Sequence, residues 1–162
     1  MAGVEIRDAT SADADTACDV LVRSISQLCV ADHGNDPAIL GRWLSNKTPE
    51  IVAGWAKQPG NSLLVAVEGD VILGVASVTD AGEITLNYVA PESRFRGVSR
   101  ALVGALEARA ADRGNASCTL TSTETAHRFY QSSGYSDDGE PDGRFWTSSG
   151  YPMSKRLPGR GS

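Results

Sequence analysis

Apolar and polar residues alternate at the start of the chain, Val4 and Ile6 against Glu5 and Arg7, which predicts a half-buried strand over residues 4–9. The period then lengthens to that of a helix. Ala14, Ala17, Cys18, Leu21, Val22, Ile25, Leu28 and Cys29 fall on one stripe at three- and four-residue spacing. Thr10 or Ser11 supplies the N-cap, and Asp13 sets a negative charge in the first turn. Two shorter helices follow, each with a capping side chain before a proline: Asp36 before Pro37 and Thr48 before Pro49. The first turns Leu40, Trp43 and Leu44 inward, and the second Ile51, Val52 and Trp55. Pro59 and Gly60 end this helical third.

Strands take over from residue 62. Segments 62–68 and 71–79 flank a tight turn at Gly69, and Gly74 marks a bulge or a close backbone approach. A second turn at 80–82 leads to a strand over 83–89, stopped by Pro91. Strict alternation puts Glu83, Thr85, Asn87 and Val89 on one face of it, with Ile84, Leu86 and Tyr88 on the other. A helix over 98–113 presents Ala101, Leu102, Ala105, Leu106 and Ala110, and Gly114 ends it. Next come a strand over 116–122 and a helix over 125–133 with Ala126, Phe129, Tyr130 and Ser133 on one face. Residues 136–143 read as an acidic turn, 144–147 and 151–155 as short closing strands, and 158–162 as a loose tail. Neither a repeat nor a linker divides the 162 residues, so a single domain is expected over 1–162.

Charge sharpens this picture. The net charge is −5, which argues against nucleic acid as a partner and means that an anionic ligand must be drawn by local positive charge. Arg94, Arg96 and Arg100 cluster in the loop between the 83–89 strand and the helix that follows. A helix N-terminus offers unpaired N–H groups, and Gly97 lets the backbone come close to a ligand. The combination suits a pyrophosphate; a solvated basic turn is the plainer alternative. Gly-x-Gly-x-x-Gly is absent and hairpins precede the loop, so a Rossmann site is set aside. No apolar run approaches the roughly 20 residues of a membrane span, and no basic-then-apolar leader opens the chain, so a cytoplasmic address is expected without membrane contact. Cys18 and Cys29 lie on one predicted helix, on the order of 16 Å apart, too far for a disulfide. Cys118 falls in a strand. Reduced, buried thiols and no metal site are expected.

The order of elements, together with two motifs, resembles the GNAT superfamily of N-acetyltransferases. Arg94, Gly97 and Ser99 follow that family's Arg/Gln-x-x-Gly-x-Gly/Ala signature, with Ser99 in place of the usual small residue. Residues 126–135, with Ala126, Phe129, Tyr130, Gly134 and Tyr135, are similar to its Ala-x-x-Phe-Tyr-x-x-x-Gly-Phe segment. The resemblance runs over residues 5–157, in the N-terminal third through element order alone. It implies an α+β fold: a central mixed, mostly antiparallel sheet flanked by helices on both sides.

The implied activity is transfer of acetyl from acetyl-CoA to a primary amine by direct attack in a ternary complex. Arg94, Arg96, Gly97, Val98, Ser99 and Arg100 would hold the coenzyme, and the Val89 N–H would reach the thioester carbonyl. Tyr130 would be the general acid, or else a core aromatic. Glu83 would be the base, or else a solvent-facing residue beside Gly82, with His33 a second candidate. Thr123 stands where the family often has Asn. His127 reads as a surface helical residue, Trp43, Trp55 and Trp146 as core with Trp146 a candidate flank of the acceptor site, and Cys118 as buried strand. The acceptor would be an amine-bearing small molecule or peptide, and the sequence leaves a homodimer open. The rival readings are a non-catalytic acyl-CoA-binding or regulatory module and a nucleotide-phosphate-binding domain.

Overall fold

The computed structural model describes residues 3–141 and 150–158. Strand β1 (Glu5–Asp8) leads through a 3-10 turn into α1 (Ala14–Leu28), followed by α2 (Val30–His33), α3 (Pro37–Leu44) and α4 (Pro49–Lys57). Strands β2 (Asn61–Glu68), β3 (Val71–Thr79) and β4 (Glu83–Val89) come next, then α5 (Val98–Asp112), β5 (Ser117–Ser122) and α6 (His127–Ser132). Strands β6 (Ser136–Asp137) and β7 (Tyr151–Arg156) complete the described elements. All seven strands join one sheet in the order β1-β2-β3-β4-β5-β7-β6. Every neighbouring pair is antiparallel except β4 and β5, which are parallel. This is the mixed, mostly antiparallel α+β architecture expected.

Helices cover both faces of the sheet, which is why β2 and β3 read as nearly unbroken apolar runs. Leu64, Ala66, Leu73, Ala76 and Val78 pack against Val98, Leu102 and Leu106 of α5. Their neighbours Leu63, Val65, Val67, Ile72 and Val75 pack against Ala17 and Leu21 of α1 and Val52 of α4. The period of two holds along β2 and shifts once on β3, where Leu73 is an extra residue, and both phases are buried. Gly74 sits where α5 crosses β3. A Cβ there would lie 2.8 Å from Leu102 Cδ1 and 3.1 Å from Val98 Cγ1. The close approach seats the helix whose N-terminus carries the arginine loop, and a register shift on β2 lies opposite.

Several local expectations change. Helix α1 stops at Leu28; Cys29 lies between it and α2, which the sequence reading missed and which ends on left-handed Gly34 (φ 58). On α5 the buried set is Val98, Leu102, Val103, Leu106 and Ala110. Ala101 is exposed, because Val98 and Val103 rotate the apolar stripe away from it. The acidic turn begins instead as an edge strand: Ser136 and Asp137 pair with Ser154 and Met153 of β7. Trp43 is buried, whereas Trp55 is half-buried. The three cysteines are free and buried, as expected. The 144–147 strand, Trp146 and residues 159–162 of the tail lie outside the described residues. No described helix is long and apolar enough to cross a membrane.

Gly74→Ala should therefore lower stability by roughly 1–3 kcal/mol, the usual penalty for forcing a methyl into a filled core. Chemical denaturation measures it, and a Gly74→Ala protein as stable as the parent would contradict the seating of α5 on β3.

Candidate active site

The parallel strands β4 and β5 pair only at Glu83 with Thr119 and Ile84 with Leu120. Beyond that they part. A bulge begins the parting: Ile84 pairs with Val78 and Leu86 with Ser77, leaving Thr85 as the extra residue. The gap opens into a cavity of about 510 Å³ between β4, β5, the arginine loop, α6 and the end of α1. Its inner edge is backbone. The Ala90 N–H reaches across to the Leu73 carbonyl at 2.8 Å, so alternation turns the N–H groups of Asn87 and Val89 the other way, into the gap.

The bulge also corrects the expected facing of β4. Ile84 packs on the α5 side, whereas Leu86 and Tyr88 pack on the α1 side. Asn87 and Val89 therefore share the α5 face with Ile84, and Glu83 belongs to the opposite face with Thr85. Glu83 does not line the large cavity. Its backbone N–H instead meets the Thr79 hydroxyl at 3.2 Å.

Tyr130 reaches the cavity from α6 and is buried, edge-on to Phe129 and Tyr135. Burial pushes its pKa up to about 12, opposed by a hydrogen bond from Asn87 to the phenol oxygen. The hydroxyl is a proton donor at any neutral pH. The start of α6 is held from two directions. Thr123 Oγ1 accepts the Ala126 N–H at 3.2 Å. Asp32, buried at the far end of α2, accepts the Glu124 N–H at 2.6 Å, the Thr125 N–H at 3.1 Å and the Thr125 hydroxyl at 2.5 Å.

At the outer mouth the chain enters α5 through Phe95 (φ 66) and Gly97 (φ 77), both in the left-handed region. Such a conformation is uncommon for a bulky residue, and Phe95 is 90% exposed. Arg94 stacks 4.6 Å over the Phe95 ring and has no carboxylate partner among the described residues. Arg96 is bound to Glu68 at 2.8 Å. Arg100 lies 5.8 Å over Phe129, with a long bond of 3.4 Å to Ser132. Val98 is a core residue that also borders the cavity, and Ser99 is half-buried on the lining. Arg23 of α1 grips Glu92 at 2.7 Å and anchors the turn before the loop.

Two buried polar atoms of this lining, Asn87 Oδ1 and Ser93 Oγ, have no partner among the described residues. Neither was singled out from the sequence, although Asn in mid-strand disfavours β structure and so carries a signal. His33 does not reach the cavity. Its Nε2–H donates to the Ile25 carbonyl at 2.9 Å and its Nδ1 accepts the Asn35 N–H at 2.9 Å, so both ring nitrogens are used locally. His127 stacks on Tyr151 at 3.7 Å and meets Asp137 at 2.7 Å.

This arrangement has relatives. Residues 41–157 match the acetyltransferase (GNAT) domain family. The chain belongs to the GNAT acetyltransferases. Among solved structures, this GNAT chain is similar to a GCN5-related N-acetyltransferase from Rhodopseudomonas palustris, at 25% identity over 97% of this chain and 98% of that one, with a TM-score of 0.83. It shares its fold with the PaiA N-acetyltransferase from Thermoplasma acidophilum, solved with coenzyme A, at 18% identity over 96% and 99% of the chains and a TM-score of 0.82. The same holds for yncA from Salmonella typhimurium, solved with acetyl-CoA, at 18% identity, 99% and 97% coverage and a TM-score of 0.74. No curated protein sequence matches the chain.

The GNAT loop's charges are thus unequal, with Arg94 unpaired by carboxylate and Arg96 already committed to Glu68. Inorganic pyrophosphate probes it directly. Arg94→Ala should weaken pyrophosphate binding at least about tenfold, the scale of one charge-assisted hydrogen bond, and Arg96→Ala distinctly less. Equal losses in a calorimetric titration would contradict this assignment.

Proposed function

We propose that this protein transfers the acetyl group of acetyl-CoA to a primary amine, by direct attack while both substrates are bound. The observation that carries the reading is the internal sheet edge: the Asn87 and Val89 N–H groups face a cavity that also holds the Tyr130 hydroxyl. An extended pantetheine-like chain can pair with such an edge as a missing strand would. Arg94, Arg100 and the first N–H groups of α5 then receive the pyrophosphate, with Gly97 allowing the approach and Ser99 beside it. Arg96 contributes field more than contact, since Glu68 holds it. The orphaned Asn87 Oδ1 and Ser93 Oγ fit a ligand rich in amide and hydroxyl groups. Coenzyme A or acetyl-CoA bound in relatives of the same fold supports the same choice.

Acetyl-CoA supplies the activated acyl group; the chain supplies position and proton control. The Val89 N–H stabilises negative charge developing on the thioester carbonyl oxygen. Tyr130, kept protonated by burial, delivers a proton to the departing sulfur, and Asn87 fixes the phenol's orientation. Glu83 takes the proton of the attacking amine. It stands on the other face of β4 from Asn87, so water carries the proton from the amine to it. The buried, oriented Tyr130 favours catalysis over a purely coenzyme-binding role.

Tyr130→Phe should lower kcat by about tenfold to a hundredfold, at or below the low end for general acid catalysis, with the KM for acetyl-CoA unchanged. Thiol release with a good amine acceptor measures both. Turnover at the parent rate would make Tyr130 a core aromatic.

A further inference from the structure

A second cavity, of about 310 Å³, lies on the α1 and α4 face of the sheet. Thr85 and Leu86, the residues of the β4 bulge, line both cavities, so the two share a wall at the bulge. The lining of the second is mostly polar: Asn46, Lys47, Gln58, Asn61 and Thr79 surround it with Thr85. Lys47 is its one charged group. Lys47 Nζ donates to Asn46 Oδ1 at 2.6 Å and lies 3.4 Å from the Trp43 carbonyl, with the Trp55 ring centre at 5.9 Å. Among the described residues no carboxylate pairs with it. Arginines 7, 23, 96, 109 and 113 hold carboxylates at the surface, whereas Lys47 is half-buried without one. A half-buried cation without a counter-ion is costly, and burial alone pushes the Lys47 ammonium down to about 8.

An anion brought by a ligand would remove this cost, and the amide and hydroxyl side chains around Lys47 are suited to share it. We propose that the second cavity binds the carboxylate of the acceptor, so that the substrate is an amino-carboxylate whose amine passes the bulge toward Asn87 and Tyr130. This rests on the acetyltransferase reading above and narrows it: the acceptor carries a negative group, and cationic polyamines or aminoglycosides are poor substrates.

The test is thiol release at saturating acetyl-CoA with α- and ω-amino acids, the carboxamide of each, and a polyamine. The amino acids should exceed their carboxamides in kcat/KM at least about tenfold, the scale of one charge-assisted hydrogen bond. Lys47→Met keeps the apolar stem while removing a poorly solvated charge, so it should fold. It should raise KM for the amino acid about tenfold to a hundredfold, leaving the carboxamide and acetyl-CoA within about twofold. Lys47→Arg should restore part of the preference. Equal use of acid and carboxamide, preference for the polyamine, or a uniform loss in Lys47→Met would overturn the proposal. A thermal shift separates it from the wider reading. Amino acids that raise the melting temperature of the coenzyme-A-loaded parent, but not of Lys47→Met, would uphold the carboxylate site even if no thiol were released, and the transferase reading alone would then fall.

Discussion

The site depends on one departure from regular sheet structure: parallel strands β4 and β5 pair for two residues and then separate. A sheet interior normally satisfies its backbone groups strand to strand. Here the bulge at Thr85 turns β4 away, and Asn87 and Val89 are left with N–H groups aimed at space rather than at β5. A closed sheet could not offer this edge, and an outer edge would not enclose it. The gap lies deep in the sheet because β5 is covered on its other side by β7, with β6 beyond it.

Everything around the gap serves to keep it open and correctly walled. Gly74 lets α5 settle close on β3, which brings the helix N-terminus to the mouth. On the opposite wall, Asp32 reaches across 92 residues of sequence to the turn before α6, tying the helix that carries Tyr130 to the α1–α2 corner. Arg23, from the body of α1, binds Glu92 and fastens that helix to the turn leading into the arginine loop. The exposed ion pairs contribute little stability individually. Their effect at the mouth is on selection, because Arg96 is spent on Glu68 while Arg94 stays available to an anion.

Element order, the arginine loop and Tyr130 were legible from sequence because each rests on local signals: apolar period, caps before prolines, and two motifs with fixed spacing. The facing of β4 was not. One bulge residue reverses the phase of everything on one side of it, and alternation carries no mark of a bulge when the extra residue is an ordinary threonine. Glu83 was therefore placed beside Asn87 when the two lie on opposite faces. His33 could be named as a histidine near the acceptor side, but not as one whose nitrogens are both occupied by backbone groups. Lys47 gave no signal, since a lone lysine before Thr48 and Pro49 reads as a solvated helix approach. Its character comes from tertiary burial and from the absence of a carboxylate partner among the described residues.

In the proposed mechanism the open edge of β4 receives the coenzyme. Amide hydrogen exchange of the whole chain, with and without saturating acetyl-CoA, tests this most directly. Asn87, Val89 and the first turn of α5 at Val98, Ser99 and Arg100 should exchange readily alone and become protected together, with ATP failing to protect Asn87 and Val89. Protection confined to α5, or none in either region, would contradict it.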